Sequence, residues 1–188
     1  MSLINVTSGK GNPEEINVVI EIPAHSDPVK YEVDKDTGAL FVDRFMSAAM
    51  FYPCAYGYIP SSLTEDGDPL VVLVHCPFPV VHGCVIRSKP IGILKMEDEA
   101  GLDAKLLAVP VAKLLPSSEG VHEVSDMPEL IINQIEHFFS ASKAHLGFHS
   151  HPWFCCCPRY VDIDHCRIMW CRCSSSCSKH RVSVCMHV

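Results

Sequence analysis

Asp66 and Asp68 stand two residues apart in the stretch Glu65-Asp66-Gly67-Asp68-Pro69, a spacing that turns both carboxylates to one side of an extended or turning backbone. Gly67 permits the bend and Pro69 stiffens its exit. Two hard oxygen donors placed this way could hold Mg²⁺, although without partners the pentapeptide reads as a polar surface turn. A second acidic loop offers Glu97, Asp98, Glu99 and Asp103. Like charges so crowded repel unless cations hold them or water solvates them, as in a hairpin loop. Neither loop has the alternating ligand spacing, closed by a distant Glu, that an EF-hand requires.

Cations and phenols accompany these acids. Lys30 and Glu32 alternate with Val29, Tyr31 and Val33, so both fall on one strand face; read alone they form a solvated ion pair worth roughly 0 to 1 kcal/mol. Glu21 interrupts the apolar run Val18-Val19-Ile20-Glu21-Ile22, which suggests an edge where one carboxylate leaves the core. Tyr52, Tyr56 and Tyr58 share an alternating register if their segment is extended, where they either meet an anion or fill an aromatic core with hydroxyls at its rim. Two acidic loops, three separated cations (Lys30, Arg44 and Lys105) and a tyrosine cluster together suit metal-assisted phosphoryl transfer. Carboxylates would collect Mg²⁺, the cations would offset phosphate charge, and a further carboxylate would take a proton from the attacking water.

The elements that position these groups are legible as periodicity. Residues 17–23 and 29–33 read as strands, 34–38 as a hairpin turn and 39–45 as the return strand. Leu70 to Val74 is a buried strand carrying the first acidic loop at its edge. Residues 84–94 read as a strand bent near Pro90 and Gly92, and 106–110 as its continuation beyond the second acidic loop. Ser125-Asp126-Met127-Pro128-Glu129 opens a helix whose apolar stripe is Leu130, Ile131, Ile135, Phe138 and Phe139. His137 sits near that stripe as a packing or subunit-contact residue.

With 188 residues, 48% hydrophobic and 20% charged, the chain suits one compact domain with an appendage. A formal charge of −7 argues against a general nucleic-acid binder. The uncharged stretch from Pro69 to Ile86 is broken by Pro77, Pro79 and Gly83 and is not a membrane span. The first ten residues lack the apolar run of a secretory signal, so a reducing cytoplasmic setting with free thiols is expected. Cys54, Cys76 and Cys84 are the only cysteines before residue 144, whereas the last 45 residues hold the remaining eight of the 11.

Glu21-Ile-Pro, Lys30-Tyr-Glu32, Asp43-Arg44, Phe51-Tyr-Pro-Cys-Ala-Tyr-Gly-Tyr58, Asp66-Gly-Asp-Pro69 and the second acidic loop closely resemble the family I soluble inorganic pyrophosphatases, especially the bacterial type. The resemblance covers roughly residues 1–143. It implies an α+β domain built on an OB-like five-stranded β-barrel with a packed helix, Mg²⁺-dependent hydrolysis of inorganic diphosphate, and homohexamers like those of bacterial relatives. Carried over position by position, Asp68 is the proton acceptor for the nucleophilic water. Asp66, Asp98 and Asp103 are metal ligands, and Glu21 and Glu32 hold hydrated metal ions. Lys30, Arg44, Tyr56, Lys105 and Lys143 contact phosphate oxygens.

Three departures qualify the resemblance. Val71 stands where the family has the third aspartate of its loop, so a bridging ligand is missing and reduced turnover is expected. Ser142 stands where the family has a substrate-contacting Tyr. Residues 144–188 do not continue the family pattern and are expected to form an irregular tail of foreign origin. Cys171, Cys173, Cys177 and His180 in that tail lack the paired spacing of a zinc ribbon or knuckle. The alternative reading is a catalytically impaired homologue that serves as a binding or assembly subunit.

Overall fold

The computed structural model describes residues 3, 5–10, 14–47, 49–64, 67–98, 101–144, 153–156, 160–162, 167–169 and 184–186. In chain order the strands are β1 (Ile16–Ile22), β2 (Val29–Val33), β3 (Leu40–Phe45), β4 (Ala55–Tyr58), β5 (Ser62–Thr64), β6 (Val71–Val74), β7 (Val85–Asp98) and β8 (Gly101–Pro110). The helix α1 (Glu129–Ala144) follows, then β9 (Trp153–Cys156), β10 (Tyr160–Asp162), β11 (Arg167–Met169) and β12 (Val184–Met186).

Strand pairing closes on itself. β1 pairs with β4, β4 with β6, β6 with β8, β8 with β7, and β7 returns to β1; only the β6–β8 contact is parallel. Such a circuit needs residues that are apolar on both faces. One cluster, which includes Val18, Ile20, Val72, Val74, Ile93 and Leu106, fills one side. A second, with Ile22, Leu73, Leu94 and Leu107, meets Ile135, Phe138 and Phe139 of α1. Full burial of each of these helix side chains contributes about 1.5–3 kcal/mol. Phe138 also meets Tyr52 at 4.8 Å and Phe139 at 5.1 Å between ring centroids.

Gly57 lies tight against β1: a Cβ there would lie 2.1 Å from the Val19 carbonyl oxygen. The hairpin of β2 and β3 stands apart as its own two-stranded ladder, and every residue of β3 is exposed. Its turn follows the sequence reading, with Gly38 at φ 70° and the Thr37 N–H donating to Asp34 Oδ1 at 2.7 Å.

Several expectations are corrected. The second acidic stretch is not a free loop, because β7 and β8 stay paired through Asp98↔Gly101 and the charged residues 95–98 and 101–105 are strand. Alternation permits this, since Met96 is buried at register position Met96↔Asp103 and anchors the ladder. The bend expected near Pro90 and Gly92 is a register shift between those two residues. Ser125 does not cap the α-helix; it lies in a short 3₁₀ turn, Val124–Asp126, boxed by Glu123 and Asp126, and α1 begins after Pro128. Leu130 leaves the expected stripe and is 67% exposed, and His137 is exposed too.

The tail, expected to be irregular, contributes strands where it is described. β9 pairs antiparallel with Gly92–Lys95 of β7, β12 with β5, and β10 with β11. Cys171, Cys173, Cys177 and His180 lie outside the described residues.

Candidate active site

β1 and β4 bring the first groups together. Their register slips between Ile20 and Ile22, which leaves Glu21 as the extra residue of a bulge and re-aims its side chain. The Glu21 carbonyl, displaced from the ladder, accepts a hydrogen bond from His82 Nδ1 at 2.7 Å. Its carboxylate is buried, and Oε1 accepts from the Val33 N–H at 2.8 Å and from Lys35 Nζ at 3.2 Å. Burial raises the Glu21 pKa, while the Val33 N–H and the Lys35 charge oppose that rise. Glu21 therefore does not stand at an open edge.

Tyr56 follows on β4, part-buried, and burial pushes its phenol well above the usual range. The charges of Asp103, Glu21 and Glu32 act in the same direction. Three carboxylates from β8, β1 and β2 thus bear on one hydroxyl, which stays protonated and can donate. Tyr52, with its ring 6.1 Å from that of Tyr56, and Tyr58 are each pushed up to about 12, mainly by burial.

Asp103 and Lys105 lie on one face of β8, and Lys105 Nζ donates to both Asp103 carboxylate oxygens at 2.7 and 2.8 Å. Lys105 is 6% exposed, a buried cation compensated by its neighbour. On the hairpin, Lys30 and Arg44 face each other in register. Asp43 joins them, accepting from Lys30 at 2.9 Å and lying 3.6 Å from Arg44, while Glu32 lies 3.9 Å from Lys30. The Lys30 hydrogen bond, more than the Arg44 charge, holds Asp43 below the usual carboxylate range.

Asp68 occupies the turn between β5 and β6. Its carbonyl accepts from the Thr64 N–H at 2.7 Å and the Thr64 hydroxyl at 2.8 Å, and Gly67 takes φ 89°, the conformation its lack of a Cβ allows. Asp68 itself is exposed. Val71 opens β6, part-buried, in register with Tyr58. Ser142 spends its hydroxyl on the helix, donating to the Phe139 carbonyl at 3.2 Å. Asp66 lies outside the described residues, as do the side chains of Asp98, at the end of β7, and Lys143, in the last turn of α1.

The structure therefore brings Glu21, Glu32, Tyr56 and Asp103 into one electrostatic neighbourhood, and Lys30 and Arg44 into another joined to it through Glu32. Sequence reasoning assigned no role to Lys35, Asp43 or His82. Asp43 carried a signal, a carboxylate beside Arg44 on a strand facing Lys30. Lys35 and His82 carried none, because each meets Glu21 only through the fold. Hard oxygen donors of this kind suit a hard divalent cation. Among the described residues, however, no three His, Cys, Asp or Glu side chains are grouped closely enough to hold one ion.

Compared with known proteins, residues 18–151 match the family described as inorganic pyrophosphatase. The inorganic pyrophosphatase of Escherichia coli (strain K12) is 61% identical over 143 residues, covering 76% of this chain and 81% of the relative. A solved inorganic pyrophosphatase from Thermus thermophilus superposes with TM-score 0.73 at 37% identity, covering 82% of this chain and 88% of that one. One from Coxiella burnetii gives TM-score 0.72 at 48% identity, covering 80% and 89%. The described residues include no helix long and apolar enough to cross a membrane. This chain belongs to the inorganic pyrophosphatase family.

Proposed function

We propose that this protein hydrolyses inorganic diphosphate to two phosphates with Mg²⁺, at a site formed where the open hairpin meets the closed five-strand circuit, which we read as an OB-like barrel. The observation that carries the reading is the 61% identity over 143 residues to a relative named inorganic pyrophosphatase, supported by the Lys30–Asp43–Arg44 cluster beside Glu32. Acidic donors for a cation and basic donors for a polyanion are needed side by side by this chemistry and by few others.

Asp66, Asp98 and Asp103 would hold Mg²⁺ directly, with Glu21 and Glu32 holding its hydration shell. Bound Mg²⁺ supplies neutralisation of phosphate oxygens and acidification of the attacking water. Lys30, Arg44, Lys105 and Lys143 bind the diphosphate oxygens, and Tyr56 donates its O–H to one of them. Asp68 accepts the proton of the water as it attacks phosphorus; the bond to the bridging oxygen breaks, and its electrons leave with the departing phosphate. Lys30 is pre-oriented for this task by Asp43, so little of its side-chain freedom remains to be lost on binding. We assign residues 1–143 to this enzyme domain and 144–188 to a separate tail, and place the protein in the cytoplasm as a homohexamer.

Val71 puts an apolar side chain beside the acidic loop, which lowers turnover because one carboxylate is missing from the donor set. Phosphate release measured with and without Mg²⁺ tests the reading. The expected result is slow, Mg²⁺-dependent hydrolysis, raised at least tenfold by Val71→Asp and lost in Asp68→Ala. Unchanged activity in Asp68→Ala overturns the proton-acceptor assignment. A parent that is inert while Val71→Asp is active favours the second reading, an impaired homologue acting as a binding or assembly subunit. The Ser142 hydroxyl, held by its own helix, speaks for that reading as well.

A further inference from the structure

The cluster behind Glu21 contains a cation that neither the sequence reading nor the family resemblance assigns. Lys35 follows β2 at the start of the hairpin turn, where its residue type suggests only a solvated turn lysine. Its ammonium instead has three fixed neighbours: Glu21 Oε1 at 3.2 Å, the Val33 carbonyl oxygen at 2.7 Å, and the Tyr58 ring with its centroid 3.9 Å away. An ammonium carries three donor hydrogens, and this arrangement gives each a direction. The electron-rich face of the tyrosine ring attracts the cation, so the head group is held on the ring side too.

The consequence falls on Glu21. Among the described residues, both bonds to its carboxylate go to Oε1, one from the Val33 N–H and one from Lys35. Two donors on one oxygen restrict the rotation of the carboxylate plane, and neither bond occupies Oε2. The bulge that aims the side chain is itself held through the carbonyl by His82, which packs edge-on against Tyr31 at 4.8 Å. Backbone and side chain of Glu21 are thus anchored separately.

We propose that Lys35, its ammonium held over the Tyr58 ring, is a positioning residue of the active site that acts through Glu21 by fixing its carboxylate. The proposal rests on the reading of Glu21 as a holder of hydrated Mg²⁺. Outer residues that orient metal-holding groups change metal affinity about 10–100-fold when removed.

The test is Mg²⁺ binding by titration calorimetry on the full chain without diphosphate, for the parent, Lys35→Met, Lys35→Arg, Glu21→Gln and the Lys35→Met/Glu21→Gln pair. Thermal melts identify which variants fold. The expected result is an affinity about tenfold weaker in Lys35→Met and about tenfold weaker in Glu21→Gln. Lys35→Arg should bind within about threefold of the parent, and Lys35→Met should add less than about twofold in the Glu21→Gln background. A residue that merely supports the fold would instead give the same loss in both backgrounds, and that additivity overturns the proposal. Full affinity in a folded Lys35→Met beside a weakened Glu21→Gln overturns it as well. Should Lys35→Met fail to fold, loss of Mg²⁺ affinity in a folded Lys35→Arg overturns it. Full affinity in Glu21→Gln removes the underlying assignment of Glu21, and the role of Lys35 with it.

Discussion

The β2–β3 hairpin and the closed circuit of β1, β4, β6, β8 and β7 both carry site residues, yet they hold them by different physics. On the hairpin, β3 is exposed along its length, and Lys30, Asp43 and Arg44 are fixed by one another at 2.9 to 3.6 Å in contact with solvent. Within the circuit, Glu21 and Lys105 are enclosed by packed strands, and their charges are compensated at short range. The lesson is that the same chemical types carry different liabilities. A charge removed from the hairpin costs binding, whereas one removed from the circuit costs binding and stability together.

Gly57 offers the hardest test of that division. Its ladder neighbours approach so closely that a methyl group would overlap the Val19 carbonyl oxygen, a backbone atom that no side-chain rotation relieves. Gly57→Ala should therefore destabilise the protein by more than about 3 kcal/mol and carry activity down with it, seen as loss of the cooperative melt. A Gly57→Ala protein with the parent Tm would show that β1 and β4 separate freely, and the circuit would lose its claim to rigidity.

Next in size is a matched pair, Lys105→Met and Lys30→Met. Lys105 makes two charge-assisted bonds to Asp103 from a position 6% exposed, so its loss should cost about 1.5–3 kcal/mol of stability. Lys30 is more exposed and its ion pairs are screened, so its loss should cost less than about 1 kcal/mol. Both variants should lose about 100-fold in kcat/KM for diphosphate if, as proposed above, each cation binds a phosphate oxygen. Denaturant melts run beside the assay separate the two. Equal losses of stability would erase the distinction between hairpin and circuit.

How much of this was legible in the sequence follows from how local each feature is. β2, its turn and β3 could be read because alternation and Asp34-to-Gly38 turn chemistry act within a few residues. The charged stretch around Met96 reads as a loop in the sequence, because its charge density outweighs a single buried methionine whose partner strand only the fold supplies. Leu130 falls on the apolar stripe yet is exposed, because a helical stripe fixes spacing but not which side of it meets the strands. The electrostatic influence of Glu21 and Asp103 on Tyr56 joins three strands, so no local pattern announces it. Glu21 and Lys35, 14 residues apart, meet through a bulge that no propensity announces.

The smallest expected effect lies in the connector that leads α1 onto the circuit. Asp126 Oδ2 accepts from the backbone N–H groups of His122 at 2.8 Å and Glu123 at 2.9 Å, boxing the turn from which the chain enters the helix. Those two N–H groups, His122 first, hold the carboxyl below its ordinary value of 3.8. A carboxylate with a depressed folded-state pKa contributes stability that is fully present above the ordinary value and is lost as pH falls through the folded one. Asp126 is exposed, so the contribution is modest. Asp126→Asn should therefore melt slightly below the parent at pH 7, and the gap should close as pH drops below 3.8. A gap that persists unchanged into acid would mean that the turn depends on the shape of the side chain rather than on its charge. The packing of α1 against the circuit would then owe nothing to this surface carboxylate's ionisation.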